Sequence, residues 1–93
     1  MPRALHVRHP YISRRKSVCG GEPVIRGTRF PVRSVVEYAL RQGMAPEEIV
    51  REWTRLTLAQ VYDALSYYHD HKGEIDGLIR RQQPSAVRRK LSV

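Results

Sequence analysis

Residues 57–70 decide the fold, and they read TLAQVYDALSYYHD. Thr57 and Gln60 have the spacing of a capping box, in which the Thr hydroxyl and the Gln amide satisfy opposite N–H groups at a helix start. Apolar side chains then recur at helical spacing within and beyond this stretch, at Leu58, Val61, Tyr62, Leu65, Tyr68, Ile75 and Ile79. The pattern predicts a helix that begins at about Leu58. This helix either reaches residue 80 or breaks at Gly73, since an interior glycine destabilises a helix by about 1 kcal/mol.

Two shorter helices are predicted before this long one. The first spans about residues 32–42, where apolar positions recur at helical spacing and Gly43 suits the left-handed residue that ends a helix. The second spans about residues 46–53, since Pro46 fits a first helical turn and the acids after it favour the positive end of the helix dipole. This second helix is expected to bury Ile49, Val50 and Trp53.

Extended segments precede the helices. Val24-Ile25 and residues 28–30 flank Arg26-Gly27, where Gly27 can take the positive φ of a tight hairpin turn, so two short strands are predicted. Residues 5–18 also favour extension, although Pro10 limits any strand there to a sheet edge. The expected fold is a small, mostly α (α+β) fold: a short N-terminal β element followed by a three-helix unit that resembles a helix-turn-helix.

The charge of the 93-residue chain lies at its two ends. The whole has 17 Lys and Arg against 9 Asp and Glu, a net charge of +8. Residues 1–33 hold eight basic side chains and one acid, and residues 80–93 hold five basic side chains and no acid. Residues 34–79 hold four basic side chains against eight acids. The balance indicates an anionic partner such as nucleic acid, an acidic protein or a membrane surface.

The domain organisation follows from this partition. We expect a basic N-terminal arm at 1–19 with a possible edge strand, a β-hairpin and three-helix domain at 20–81, and a basic flexible tail at 82–93. The lone Cys19 and the absence of a long apolar run near the start indicate a cytoplasmic protein without export or membrane insertion. A chain this short has a thin core, so a homodimer through the N-terminal strands or the long helix is expected.

A specific string links the chain to a known family. The string is GEPVIRGTRFPV at 21–32, with Gly43, Pro46-Glu47-Glu48-Ile49 and Leu56-Thr57 at their intervals. Over about residues 11–76 the chain resembles the bacterial family known as domain of unknown function 433. One departure is Ala45, where that family commonly has a Ser that caps the next helix.

The resemblance implies a winged or homeodomain-like helical fold and an antitoxin encoded beside a PIN-type ribonuclease, as in VapBC-like pairs. The implied roles are neutralisation of the toxin and repression of the operon through operator DNA. In such a ribonuclease, clustered carboxylates hold metals, so an inserted Arg could pair with an acid and displace the metal. The tail residues Arg88, Arg89 and Lys90 are the candidates for that contact, with a generic charged terminus as the alternative.

The candidate DNA contacts lie mostly outside the long helix. Its predicted exposed face carries Asp63, Asp70 and Tyr67 but no Lys or Arg, which suits phosphate neutralisation poorly. Backbone contacts are therefore expected from basic residues elsewhere, with Gln60 touching base edges. The predicted DNA-binding residues are Arg14, Arg15, Lys16, Arg26, Thr28, Arg29, Arg33, Arg55 and Gln60. Structural ion pairs with acids such as Glu22 are the alternative for the arginines around the hairpin.

Enzymatic function has weaker support. The only cluster of metal-ligand residue types is His69, Asp70, His71, Glu74 and Asp76. On a helix, however, His69 and His71 point about 200° apart and cannot share an ion. Cys19 has no nucleophile motif around it. We therefore expect no catalytic residue, metal or cofactor. A standalone DNA-binding transcriptional regulator remains the first alternative, and a metal-dependent enzyme the second.

Overall fold

The computed structural model describes residues 8–82, in which two short strands precede four helices. The strands are β1 (Ile12–Ser13) and β2 (Val24–Ile25), with a single 3-10 turn at Cys19–Gly21 between them. The helices are α1 (Val32–Val36), α2 (Pro46–Glu52), α3 (Leu58–Asp70) and α4 (Lys72–Gln82). The expected small, mostly helical α+β fold is confirmed.

The helix starts and ends have the local causes that the sequence predicts. Helix α1 continues as a π-helical turn over Glu37–Arg41 and stops where Gly43 takes a φ of 72°. At the start of α3, the Thr57 hydroxyl accepts from the Gln60 N–H at 3.2 Å, and the Gln60 side chain accepts from the Thr57 N–H at 2.8 Å. Helix α2 has only half of this box, because Ala45 has no side-chain acceptor while its N–H donates to Glu48 at 2.7 Å.

The long helix breaks at His71, two residues before the predicted glycine. In an unbroken helix the His71 N–H would donate to the carbonyl of Tyr67. Here the His71 ring Nδ1 lies 3.1 Å from that carbonyl oxygen, while the His71 N–H donates to Tyr68 at 3.0 Å. The side chain thus replaces its own backbone as the donor, and α4 starts in a new direction with Gly73 inside it. The break of the long helix, one of the two outcomes that the sequence left open, therefore occurs and gives a fourth helix.

The sheet also differs from the predicted hairpin. Strand β2 pairs antiparallel with β1, with Ile12 opposite Ile25. On its other side β2 keeps only a short bridge of the predicted hairpin, with Val24 opposite Pro31 and the Ile25 N–H donating to Phe30 O at 2.9 Å, and no strand forms at 28–30. Residues 28–30 form a turn instead, because the Thr28 hydroxyl donates to Ile25 O at 2.8 Å and accepts from Phe30 N at 2.9 Å. The predicted positive φ of Gly27 is confirmed at 81°. The edge strand expected within residues 5–18 is present as β1.

The core lies where α1 packs against α3 and α4, with α2 and β1 also packed on α3. Its fully buried members include Ile25, Val32, Val35, Ile49, Val61 and Ile75. The predicted stripe of α3 is partly wrong: Leu58 and Tyr62 are 41% and 52% exposed, whereas Ala64 and Tyr67 are buried. Tyr67 is buried because the N-terminal arm covers it, with the His9 ring 5.2 Å from the Tyr67 ring between centroids. Among residues 8–82 no helix is long and apolar enough to cross a membrane.

Candidate nucleic-acid interface

Five arginines and one threonine line a single groove of about 630 Å³, which we call the arginine groove: Arg14, Arg15, Arg26, Thr28, Arg29 and Arg55. They come from the end of β1, the turn after β2 and the connection between α2 and α3. No carboxylate of the described segment is among the residues lining this groove. Five guanidinium groups in a lining without a carboxylate are the charge arrangement that a polyanion needs, which makes the groove a candidate site.

Arg26 fixes the geometry of the groove. Its Nε donates to Pro10 O at 2.9 Å and its Nη2 donates to Ile12 O at 3.2 Å, so the guanidinium ties the arm to β2. Arg14 forms an ion pair with Glu74 of α4. Within residues 8–82, no ion pair or hydrogen bond engages the side chains of Arg15, Arg29 and Arg55, and all three residues are exposed. These three are the groove cations available to a ligand.

Three predicted contacts lie outside the groove lining. The Arg33 Nε lies 3.0 Å from Glu22, and both side chains are largely buried, so Arg33 forms the structural ion pair that was the alternative for the hairpin arginines. Lys16 is exposed next to the groove-lining Arg15. Bidentate recognition of adenine by Gln60 would need its carbonyl oxygen, which the backbone N–H of Thr57 already occupies. Arg88, Arg89 and Lys90 lie outside the described residues.

A second cavity of about 420 Å³, the aromatic cleft, adjoins the groove and shares Thr28, Arg29 and Arg55 with it. Its apolar lining comes from Phe30, Pro31, Trp53 and Leu56. The Trp53 ring lies 4.4 Å from the Tyr38 ring and 5.6 Å from the Phe30 ring, measured between centroids. The sequence predicts a buried Trp53, but the ring is only half-buried.

His9 holds the arm against α3, and sequence reasoning misses it. Its Nδ1 lies 3.2 Å from Asp63 and its Nε2 lies 2.8 Å from Asp70. The Tyr11 N–H also donates to Asp63, at 2.8 Å. Each ring nitrogen of His9 thus faces a carboxylate oxygen of α3. The sequence does contain a signal for this contact, because Asp63 and Asp70 are two turns apart on the same face of the helix and a histidine lies in the arm.

The pKa values of two groups in this region, Asp70 and Tyr68, are shifted by hydrogen bonds and burial. The hydrogen bond from His9 is the main cause that lowers the pKa of Asp70; burial opposes it and the charge of Arg8 assists it. Burial raises the pKa of Tyr68, and its hydrogen bond to Asp76, at 2.9 Å, acts in the same direction. Tyr67, which the sequence places on the exposed face of the helix, is instead buried against His9 and His71.

The cluster at residues 69–76 does not converge on one point. Asp70 is paired with His9, the His71 ring bonds to a backbone carbonyl, and Asp76 accepts from Tyr68. In the part of the chain that the structure describes, no three His, Cys, Asp or Glu side chains are grouped so that they could hold a metal ion. Cys19 is half-buried, and its Sγ lies 3.3 Å from Arg29 O, so it packs under the turn.

Comparison with known proteins identifies the family. The model of the family described as "Protein of unknown function (DUF433)" matches residues 12–68. The chain belongs to the DUF433 family. A crystal structure of a DUF433 member protein from Anabaena variabilis is similar, with 34% sequence identity, a TM-score of 0.70, and coverage of 75% of this chain and 68% of that one. A search of curated proteins gave no match. The matched DUF433 segment contains every one of the six named residues of the arginine groove.

Proposed function

We propose that this DUF433 protein is an antitoxin that binds operator DNA through the arginine groove and neutralises a PIN-type ribonuclease. The observation that supports DNA binding is the convergence of six predicted DNA contacts on one groove from three separate segments. The proposed role is binding, not catalysis, in the cytoplasm. It uses the groove for phosphates and the basic tail residues 88–90 for the acidic site of the toxin.

The electrostatics of the groove favour a phosphate backbone over an isolated acid. Arg15, Arg29 and Arg55 are exposed and sit on different segments, so they can neutralise phosphates that lie several ångströms apart. Neutralising phosphates releases counterions from DNA, and this release supplies most of the sequence-independent affinity. The groove is therefore expected to position the protein on DNA, with base readout left to other contacts.

A homodimer is part of the proposal. Leu58 and Tyr62 are exposed one turn apart on α3, which leaves an apolar strip on the long helix, where one of the two predicted dimer contacts lies. Two copies would present two arginine grooves to DNA, and operators commonly have paired half-sites.

The decisive experiment measures the affinity of the full chain for its own upstream DNA across salt concentrations. Replacing Arg15, Arg29 and Arg55 together by Gln should weaken binding at low salt and reduce the slope of log K against log salt by about 0.9 for each phosphate that the variant no longer neutralises. The matched control replaces Arg51, Arg80 and Arg81 by Gln, which removes the same charge away from the groove. An equal weakening of binding in both triple variants would refute the groove as the DNA site.

The antitoxin half of the proposal has a separate test. Co-expression with a PIN-type ribonuclease encoded next to the gene should yield a stable complex, and a chain ending at residue 83 should no longer inhibit it. Full inhibition by the shortened chain would exclude the tail mechanism. DNA binding without any toxin complex would favour the standalone transcriptional regulator.

A further inference from the structure

The proposed binding of a phosphate backbone in the arginine groove does not use the aromatic cleft, yet the cleft opens directly beside that groove. The two cavities share Thr28, Arg29 and Arg55, so a ligand in one lies against the rim of the other. At about 420 Å³ the cleft falls in the size range of small-molecule and cofactor sites, about 300–1,000 Å³. Its chemistry combines apolar and aromatic walls with two guanidinium groups at one side.

An unpaired nucleotide matches this combination. Bases stack on aromatic side chains without regard to sequence because every base has a π-face, and phosphates pair with arginine. Trp53 and Phe30 supply the rings, packed together with Tyr38. Glu52 and Thr54 also line the cleft, and their oxygens are acceptors for the amino groups of bases. An apolar protein side chain would leave Arg29 and Arg55 without an anion.

We propose that the aromatic cleft receives an unpaired DNA base whose flanking phosphates lie on Arg29 and Arg55. This rests on the proposed function, because the same arginines then serve the paired backbone in the groove. A fully paired duplex keeps its bases inside the helix, so it occupies the groove alone. A duplex with a bulged base occupies the groove and the cleft together and binds more tightly.

Trp53 is the protein's one tryptophan, so its fluorescence reports on the cleft directly. The full chain is titrated with three duplexes of the same sequence: fully paired, with one bulged base, and with an abasic bulge at that position. The bulged base should quench Trp53 and bind about tenfold more tightly than the abasic bulge, since the stacked base is the difference between them. Equal affinity for the base and abasic bulges, with no quenching, would overturn the proposal without any variant having to fold.

A variant gives a second readout. Trp53→Leu should remove the preference for the bulged base while leaving the salt-dependent binding of the paired duplex intact. Failure of the proposed function is distinguishable, because binding of bulged but not paired DNA would refute the operator role and keep the cleft assignment. Equal binding of bulged and paired DNA would refute the cleft assignment and keep the operator role. Quenching of Trp53 by a toxin protein and not by bulged DNA would overturn the assignment, since the cleft would then be a protein-docking site.

Discussion

Replacing His9 by Ala should destabilise the whole domain, because this side chain contacts two carboxylates of α3, Asp63 and Asp70, and so helps to join the arm to that helix. His9 and Asp63 are 9% and 11% exposed at their side chains, so their hydrogen bond is shielded from water. A hydrogen bond to a charged group contributes about 1.5–3 kcal/mol to stability, and its removal leaves the Asp63 carboxylate with the Tyr11 N–H alone. We therefore expect the free energy of unfolding to fall by about 1.5–3 kcal/mol.

The assay is urea denaturation followed by the fluorescence of Trp53, with the midpoint and slope fitted separately. His69→Ala is the matched control, since it removes the same ring from an exposed position on α3. Exposed positions of this kind usually change stability by less than about 0.5 kcal/mol. If His9→Ala stays within that range, the reasoning that the arm is clamped by His9 is wrong.

Other predictions concern single side chains whose contacts are local. The pKa of Asp70 is lowered from its ordinary 3.8, so its contribution to stability is present above that value and disappears as the pH falls through the lowered pKa. In Asp70→Asn the free energy of unfolding should therefore fall less steeply between about pH 5 and pH 2 than in the original chain. Thr57→Ala should cost about 0.5–2 kcal/mol in urea denaturation, because the hydroxyl caps α3, whereas exposed Thr54→Ala should not. Ile49→Ala should cost about 2–5 kcal/mol by calorimetry, because Ile49 is fully buried, and a decrease below about 1 kcal/mol would contradict its place in the core. Gly27→Ala should destabilise the chain although a Cβ meets no atom there, because φ is 81°; unchanged stability would show that the turn adapts.

Helix starts and ends were predictable because their causes are local. The capping box at Thr57, the proline of α2 and the glycine after α1 each act within one turn of the chain, so sequence spacing is enough to place them. The break at His71 is also local, but it depends on a ring displacing a backbone donor, which no propensity scale describes.

Strand pairing and the exposed face of α3 were not predictable in the same way. Both depend on where the arm lies, which is a contact over more than fifty residues along the chain. Strand β2 takes the arm as its partner strand, and on its other side only the bridge between Val24 and Pro31 remains of the predicted second strand. Once His9 lies on α3, Tyr67 becomes buried, whereas Leu58 and Tyr62 are left exposed on the same helix. Six of the nine predicted DNA contacts nevertheless line one groove.

The acidic residues of the long helix, which made it poorly suited to DNA, have a different use in the folded chain. Asp63 and Asp70 bind His9, Asp70 also pairs with Arg8, and Glu74 of α4 binds Arg14. These acids hold the basic arm in place, since each contacts His9, Arg8 or Arg14 of that arm. Because the arm is held there, Arg15 comes to line one groove with Arg29 and Arg55. The opposite charges of the arm and of the helices therefore stabilise the fold first, and the arginines that no acid pairs are left together on one surface.

If the proposed function is right, loosening the arm with His9→Ala should weaken DNA binding even though His9 does not line the groove. Unchanged affinity in that variant would show that the groove forms without the arm.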